Sequence, residues 1–247
     1  MKQYYGPVVV LLDSQDTLEW AAAEAAARSA ELRIVHAFRW PHLLDLFGEL
    51  TVDEWDLEAA GEVVDEAAGH VRQIFPSLRI STTVFPGRPA TALLNEARES
   101  TGALVVIEHG RSFERSLARR LARRTTGSLA VVGLTADHAA GPSTGRVVVA
   151  VDGHDRSDAL GFAFGAARRR GTGLTILQTG PADVTAWQTA YPEVDVRRSA
   201  VTGTVASAVL AESAAAALTV LTADRTWLQQ TGNATVARLA RGPVVLV

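Results

Sequence analysis

Residues 8–17 read VVVLLDSQDT and residues 147–158 read VVVAVDGHDRSD, so an apolar run suited to a buried strand ends on an aspartate twice. Val8 to Asp13 and Val147 to Asp152 correspond at a constant offset of 139. Each run leads into an Ala-rich segment with helical spacing, LEWAAAEAAARSAE in one case and ALGFAFGAARRRG in the other. A second strand follows, LRIVHAF (32–38) or LTILQ (174–178), giving a β-α-β pattern stated twice. Two further echoes keep the order. FPGRPATALLNEARESTGALVVI (85–107) matches AVTGTVASAVLAESAAAALTVL (200–221), with Gly87 on Gly203 and Ala92 on Ala208. GSLAVV (127–132) matches GPVVLV (242–247), each a terminal strand after an Arg-rich helix. The chain must therefore build one architecture twice.

The offset falls from 139 at the first echo to 116 at the second, so the second copy is about 23 residues shorter between its second and third strands. The first copy fills that interval with WPHLLDLFGEL and a long helical pattern, VDEWDLEAAGEVVDEAAGHVRQIF (52–75). The second has TGPADVTAWQTAYPE (179–193), enough for a short helix or a loop. Gly, Pro, Ser and Thr cluster in TADHAAGPSTGR (135–146), which reads as a linker. The expected domains are 1–134 and 146–247, joined by 135–145. Strands alternating with helices predict two α/β domains with parallel sheets and helices on both faces. Any ligand would sit at the carboxyl ends of the strands, where Asp13 and Asp152 fall.

Composition narrows the function. At 47% hydrophobic residues over 247 positions, the chain is globular rather than disordered. A net charge of −3 does not advertise nucleic-acid or anionic-membrane binding. The absence of cysteine excludes disulfides, thiolate metal sites and Cys nucleophiles together. Pro7 to Leu12 is too short for a signal h-region, and no run reaches the ~18 apolar residues of a membrane span. A soluble cytoplasmic protein is the expectation.

In VVVAVDGHDRSDAL with AARRRGTGLTIL, and in VVVLLDSQD with ELRIVHAF, the chain resembles the universal stress protein family in its tandem form. PGRPATALLNEARESTGALVVI and the two final V-rich strands extend the likeness over most of both halves, apart from 39–75 and the linker. The resemblance implies five-stranded, Rossmann-like nucleotide-binding-type domains. It implies that they pair through their last strands, 128–132 and 243–247, as an intramolecular pseudo-dimer. Many members bind ATP through Gly, two residues, Gly, nine residues, then Gly-Ser or Gly-Thr. Glycines let backbone approach phosphates, and a helix N-terminus offers free N–H groups. The strand-end aspartate lies beside the adenine and ribose.

Both copies depart from that signature. In EHGRSFERSLARR, Glu108 occupies the first Gly position, Gly110 stands for the second, and Ser116 closes after Arg115. Four residues separate Gly110 from Arg115 instead of nine, and a glutamate near phosphate oxygens repels them. Arg111 and Arg115 could offset this, although with a loop of different geometry. In TADRTWLQQTGNATVARLARG, Thr222 and Arg225 replace the first two glycines, and Gly232-Asn233 match the closing pair. The positions the resemblance assigns to nucleotide contact are Asp13, Val35, Gly110, Arg111 and Ser116 in the first copy. In the second they are Asp152, Gly153, Gly203, Thr222, Arg225, Gly232 and Asn233. Gly153, Gly203 and Gly232 read as places where backbone comes close to something.

Other segments have a plain reading beside a functional one. RSFERSLARRLARR (111–124) as a helix buries Leu117, Ala118, Leu121 and Ala122, with most of its arginines on a solvated face. Its alternative is a phosphate contact, but only Phe113 interleaves for stacking. His36 reads as a strand-end or core histidine, and the other five histidines form no metal-ligand spacing. Asp152, His154 and Asp155 fit a turn in which Asp155 or Ser157 caps the next helix, rather than an acid/base cluster. WPHLLDLFGELTVDEW (40–55) is a lid on its own domain or a surface for a partner. No nucleophile elbow, Walker loop or G-x-G-x-x-G fingerprint is present.

The expected function is a non-enzymatic tandem stress protein with a regulatory or interaction role. Its ATP site is degenerate in both copies, and no metal is inferred. The first alternative keeps ATP in the second domain; the other is an enzyme on the same fold. A monomeric pseudo-dimer or a homodimer is expected, with no membrane or nucleic-acid partner.

Overall fold

A computed structural model describes residues 6–38, 54–109, 117–118, 120–122, 125, 127–133, 145–151, 157–178, 180, 183–222, 236 and 239–247. They fall into two compact units, one within Tyr5–Glu108 and Arg115–Gly127, the other within Ser128–Val247 together with His109.

In the first unit, β1 (Val8–Leu11), β2 (Leu32–Phe38), β3 (Ile80–Pro86) and β4 (Leu104–His109) form a parallel sheet ordered β3-β2-β1-β4. The crossovers are α1 (Gln15–Arg28), α2 (Glu54–Ile74) and α3 (Pro89–Arg98). Val8, Val9 and Val10 are buried on both faces, as a central parallel strand requires. Ser14 caps α1 by accepting a hydrogen bond from the Thr17 N–H at 3.3 Å. Ala21, Ala22 and Ala25 form its buried face, small enough for the helix to lie close on the sheet. The long helix expected over 52–75 is α2, whose Ala60, Val64, Ala68 and Val71 form the buried stripe. It is tied to α1 where the His70 Nε2 meets the Glu19 Oε1 at 2.8 Å.

The second unit repeats the pattern with β6 (Val147–Val151), β7 (Leu174–Gln178), β8 (Val196–Ala200) and β9 (Leu218–Leu221). Its order is β5-β10-β9-β6-β7-β8, where β5 is Ser128–Gly133 and β10 is Val244–Leu246. All neighbours are parallel except β5 and β10, which pair antiparallel with Val131 opposite Val244 and Leu129 opposite Leu246. The terminal strands of the two sequence copies thus pair with each other, as the resemblance implied. The connecting helices are α4 (Ser157–Arg170), α5 (Thr185–Ala190) and α6 (Val205–Ser213). α4 begins at Ser157, and Asp155 lies outside the described residues.

The short segment that replaces the long helix in the second copy is α5. Its Trp187 stacks on Phe164 of α4, with centroids 6.2 Å apart, and lies over Gly161. Tyr191 completes the stack on Phe164 at 5.7 Å. Three aromatic rings supply the apolar contact that a longer helix makes through aliphatic residues. At the start of β6, a Cβ on Gly145 would fall 1.7 Å from the Ala215 carbonyl oxygen, so only glycine lets these backbones cross. In the Arg-rich segment Leu117 and Leu121 are buried as expected, while Ala118 and Ala122 are only half-buried.

Candidate functional site

Parallel register brings the carboxyl ends of β2, β1 and β4 to one edge of the first unit. Leu11 lies opposite Val35, and Val10 lies opposite Val106. The Leu12 N–H donates to the Val35 carbonyl at 2.8 Å, so pairing continues up to the residue before Asp13. Asp13 therefore emerges where sheet hydrogen bonding stops. Its neighbours on that edge are Val35 and His36 of β2 and Glu108 near the end of β4.

The electrostatics of this edge are those of two like charges. The Asp13 carboxyl is held above its ordinary value, first by lost solvation and then by repulsion from Glu108. Asp13 is exposed overall, so the strand ends crowd only part of the carboxyl and the direction of the shift is what matters. His36 is half-buried, and burial pushes its imidazole below the ordinary value, favouring the neutral form. Among the described residues, this edge carries two carboxylates and an imidazole that favours its neutral form.

The second unit has the same edge with different chemistry. Val149 lies opposite Val220, which carries Thr222 to the end of β9 beside the end of β6. Thr222 stands where the first copy has Glu108, a neutral hydroxyl in place of a carboxylate. Gly203 follows β8 and precedes α6, whose cap Thr204 accepts from the Ser207 N–H at 3.2 Å. Gly203 has φ +98°, and a Cβ there would meet nothing within 4 Å. Its backbone conformation calls for glycine.

Of the positions assigned to nucleotide contact, Asp13, Val35, Gly203 and Thr222 are described: Val35 lies midway along β2, and the other three lie after the end of a strand. Asp152, Gly153, Arg225, Gly232 and Asn233 lie outside the described residues, as do Gly110, Arg111 and Ser116. The segment 40–55 lies almost wholly outside them. No group of His, Asp or Glu among the described residues is arranged to hold a metal ion. No helix of the described residues is long and apolar enough to cross a membrane.

Sequence reasoning missed Arg146, which ties the opposite edge of the second sheet. Its guanidinium donates to the Asp195 Oδ2 at 2.6 Å, the Asp195 carbonyl at 2.7 Å and the Leu174 carbonyl at 3.0 Å. The signal was faint: an Arg directly before an apolar run.

Two Rossmann-like α/β units in one chain, with a strand-end aspartate presented by the first, define a nucleotide-binding type of fold. A family model described as the universal stress protein family matches residues 5–133. The chain belongs to that family. It is 28% identical over 202 residues to Universal stress protein MT3220 of Mycobacterium tuberculosis (strain CDC 1551 / Oshkosh), covering 73% of each chain. The identity and coverage are the same for Universal stress protein Rv3134c of Mycobacterium tuberculosis (strain ATCC 25618 / H37Rv). Its fold is similar to the crystal structure of a universal stress protein from Archaeoglobus fulgidus DSM 4304. That match has a TM-score of 0.69 at 17% identity and covers 99% of this chain and 97% of the other.

Proposed function

We propose that this tandem universal stress protein acts without catalysis, in a regulatory or interaction role in the cytoplasm, and that its ATP sites are degenerate in both copies. The domain division that goes with this reading is 1–134 and 146–247, with 135–145 as linker. The observation that carries it is Glu108, a carboxylate at the end of β4 that repels Asp13 across the edge where a nucleotide would enter. Two carboxylates at that edge oppose a polyphosphate by like-charge repulsion, which after burial is the smaller of the two causes that raise Asp13. The shortened glycine loops, Gly110 to Arg115 and Arg225 to Gly232, support the same reading from the sequence.

A second reading is favoured by one difference between the copies. Thr222 removes the second carboxylate from the second unit, and Gly203 leaves open space before α6. There, ATP would lie near Asp152, Gly203 and Gly232. Calorimetric titration of nucleotide-free protein with ATP and Mg²⁺ separates the two. The degenerate-site reading expects no binding in the micromolar range. Micromolar binding abolished by Asp152→Ala or Gly232→Trp would establish the second reading instead.

A further inference from the structure

The second sheet ends on a strand whose outer side has no partner among the described residues, and its chemistry differs from that of the other unit's edge. β8 reads VRRSA and pairs there only with β7. The Leu174 N–H donates to the Asp195 carbonyl and the Val201 N–H to the Gln178 carbonyl. In a parallel ladder this turns the odd-numbered residues of β8 toward β7. The N–H and C=O groups of Val196, Arg198 and Ala200 then point outward. Arg197 and Arg198 are both exposed, and period-two alternation sets them on opposite faces of the sheet.

Among the described residues, no carboxylate forms an ion pair with Arg197 or Arg198. Glu193 pairs with Arg168 at 3.1 Å, and Asp195 pairs with Arg146 at 2.6 Å. Asp183 accepts from the Thr185 N–H at 2.9 Å and feels Arg198 at longer range, while Arg198 itself donates to Gln188 at 3.1 Å. Charges on an edge strand oppose pairing with the same strand of a second copy, because like charges would face each other. They favour an incoming strand of opposite charge. β3, the corresponding edge of the first unit, reads ISTTVFP and carries no charge.

We infer that the outer edge of β8 docks an extended acidic segment of a partner protein, which adds as a strand and sets adjacent carboxylates against Arg197 and Arg198. Backbone pairing to Val196, Arg198 and Ala200 supplies the affinity and the two arginines supply the selectivity. Because the arginines lie on opposite faces, the matching segment carries two acidic residues in a row rather than alternating ones.

The probe is a synthetic peptide of about eight valine and threonine residues, longer than the usual ~5–6-residue strand. It carries an adjacent glutamate pair at its centre and is titrated against the full chain at low salt. The glutamate peptide is expected to bind, the same peptide with a lysine pair to fail, and Arg197→Glu with Arg198→Glu to weaken binding about tenfold or more. Ala200→Pro removes one outward N–H without touching the ladder to β7, and should weaken binding about fivefold at an unchanged melting temperature. If that variant unfolds, a peptide N-methylated along its pairing side makes the same test on the unaltered protein and should not bind. Equal binding of the lysine peptide would overturn the proposal. So would indifference to both backbone blocks, or preferential binding of a single-stranded oligonucleotide.

Discussion

Glu108 near the end of β4 and Asp13 just beyond β1 face one edge as like charges, and Asp13 titrates above its ordinary value of 3.8 as a result of burial and that repulsion. An acid whose folded value is raised contributes stability below its unfolded value, which is lost as pH rises through the folded value. At neutral pH the ionised Asp13 is therefore a cost. Asp13→Asn should stabilise the protein at pH 7 by about 0.5 kcal/mol after solvent screening. The gain should vanish below pH 3.8 and shrink with added salt. Glu108→Gln should act in the same direction, and the double variant should gain less than the sum of the two, since either change removes the shared repulsion. Thermal melts across pH check all three.

His36 gives the opposite sign. Burial lowers its folded value below 6.5, so it contributes stability above pH 6.5 that is lost as pH falls through the folded value. Substituting His36→Gln should flatten stability between neutral pH and pH 5, and proton NMR should show the His36 imidazole titrating below 6.5.

The backbone crossing at Gly145 predicts a severe single-site effect. Gly145→Ala places a methyl group 1.7 Å from a carbonyl oxygen, which no side-chain rotation relieves. A loss of about 3 kcal/mol or more, or failure to fold, is expected in chemical denaturation. Gly61→Ala is the contrast: it lies within α2 and a Cβ there meets nothing within 4 Å. It should stabilise by about 0.5–1 kcal/mol.

Removing Trp187 tests how the shortened copy closes its sheet. Trp187→Ala should cost about 2–3 kcal/mol, because the cluster loses one of its three mutually stacked rings and both of that ring's contacts. Trp187→Phe should recover part of that in the same denaturation series.

Much of this architecture was legible because strong signals coincided. LRIVHAF and LTILQ are β2 and β7 residue for residue, since each is an apolar run bounded by polar residues. β3 and β8 gave little signal: they lie at sheet edges, half-exposed, so ISTTVFP and VRRSA have no clean alternation of buried and exposed positions. The duplication offset of 116 holds from Pro89 to Val205, but the register puts Leu104 and Leu218 in equivalent places. The second copy is therefore two residues shorter between helix and strand, which identity-based matching cannot see among alanines. At the candidate site, Asp13 and Glu108 were readable because a polar residue after a buried strand marks the sheet's carboxyl edge. The Arg146 network was not, because its partners on β7 and before β8 are brought together only by strand pairing.

In the proposed degenerate site, Glu108 makes the first copy's edge hostile to phosphates. The direct measurement is ATP affinity at low salt for the wild-type protein and for Glu108→Gln, each freed of nucleotide. Glu108→Gln should bind ATP more tightly, by about fivefold for ~1 kcal/mol of relieved repulsion. Equal affinity, or tighter binding by the wild type, would contradict it.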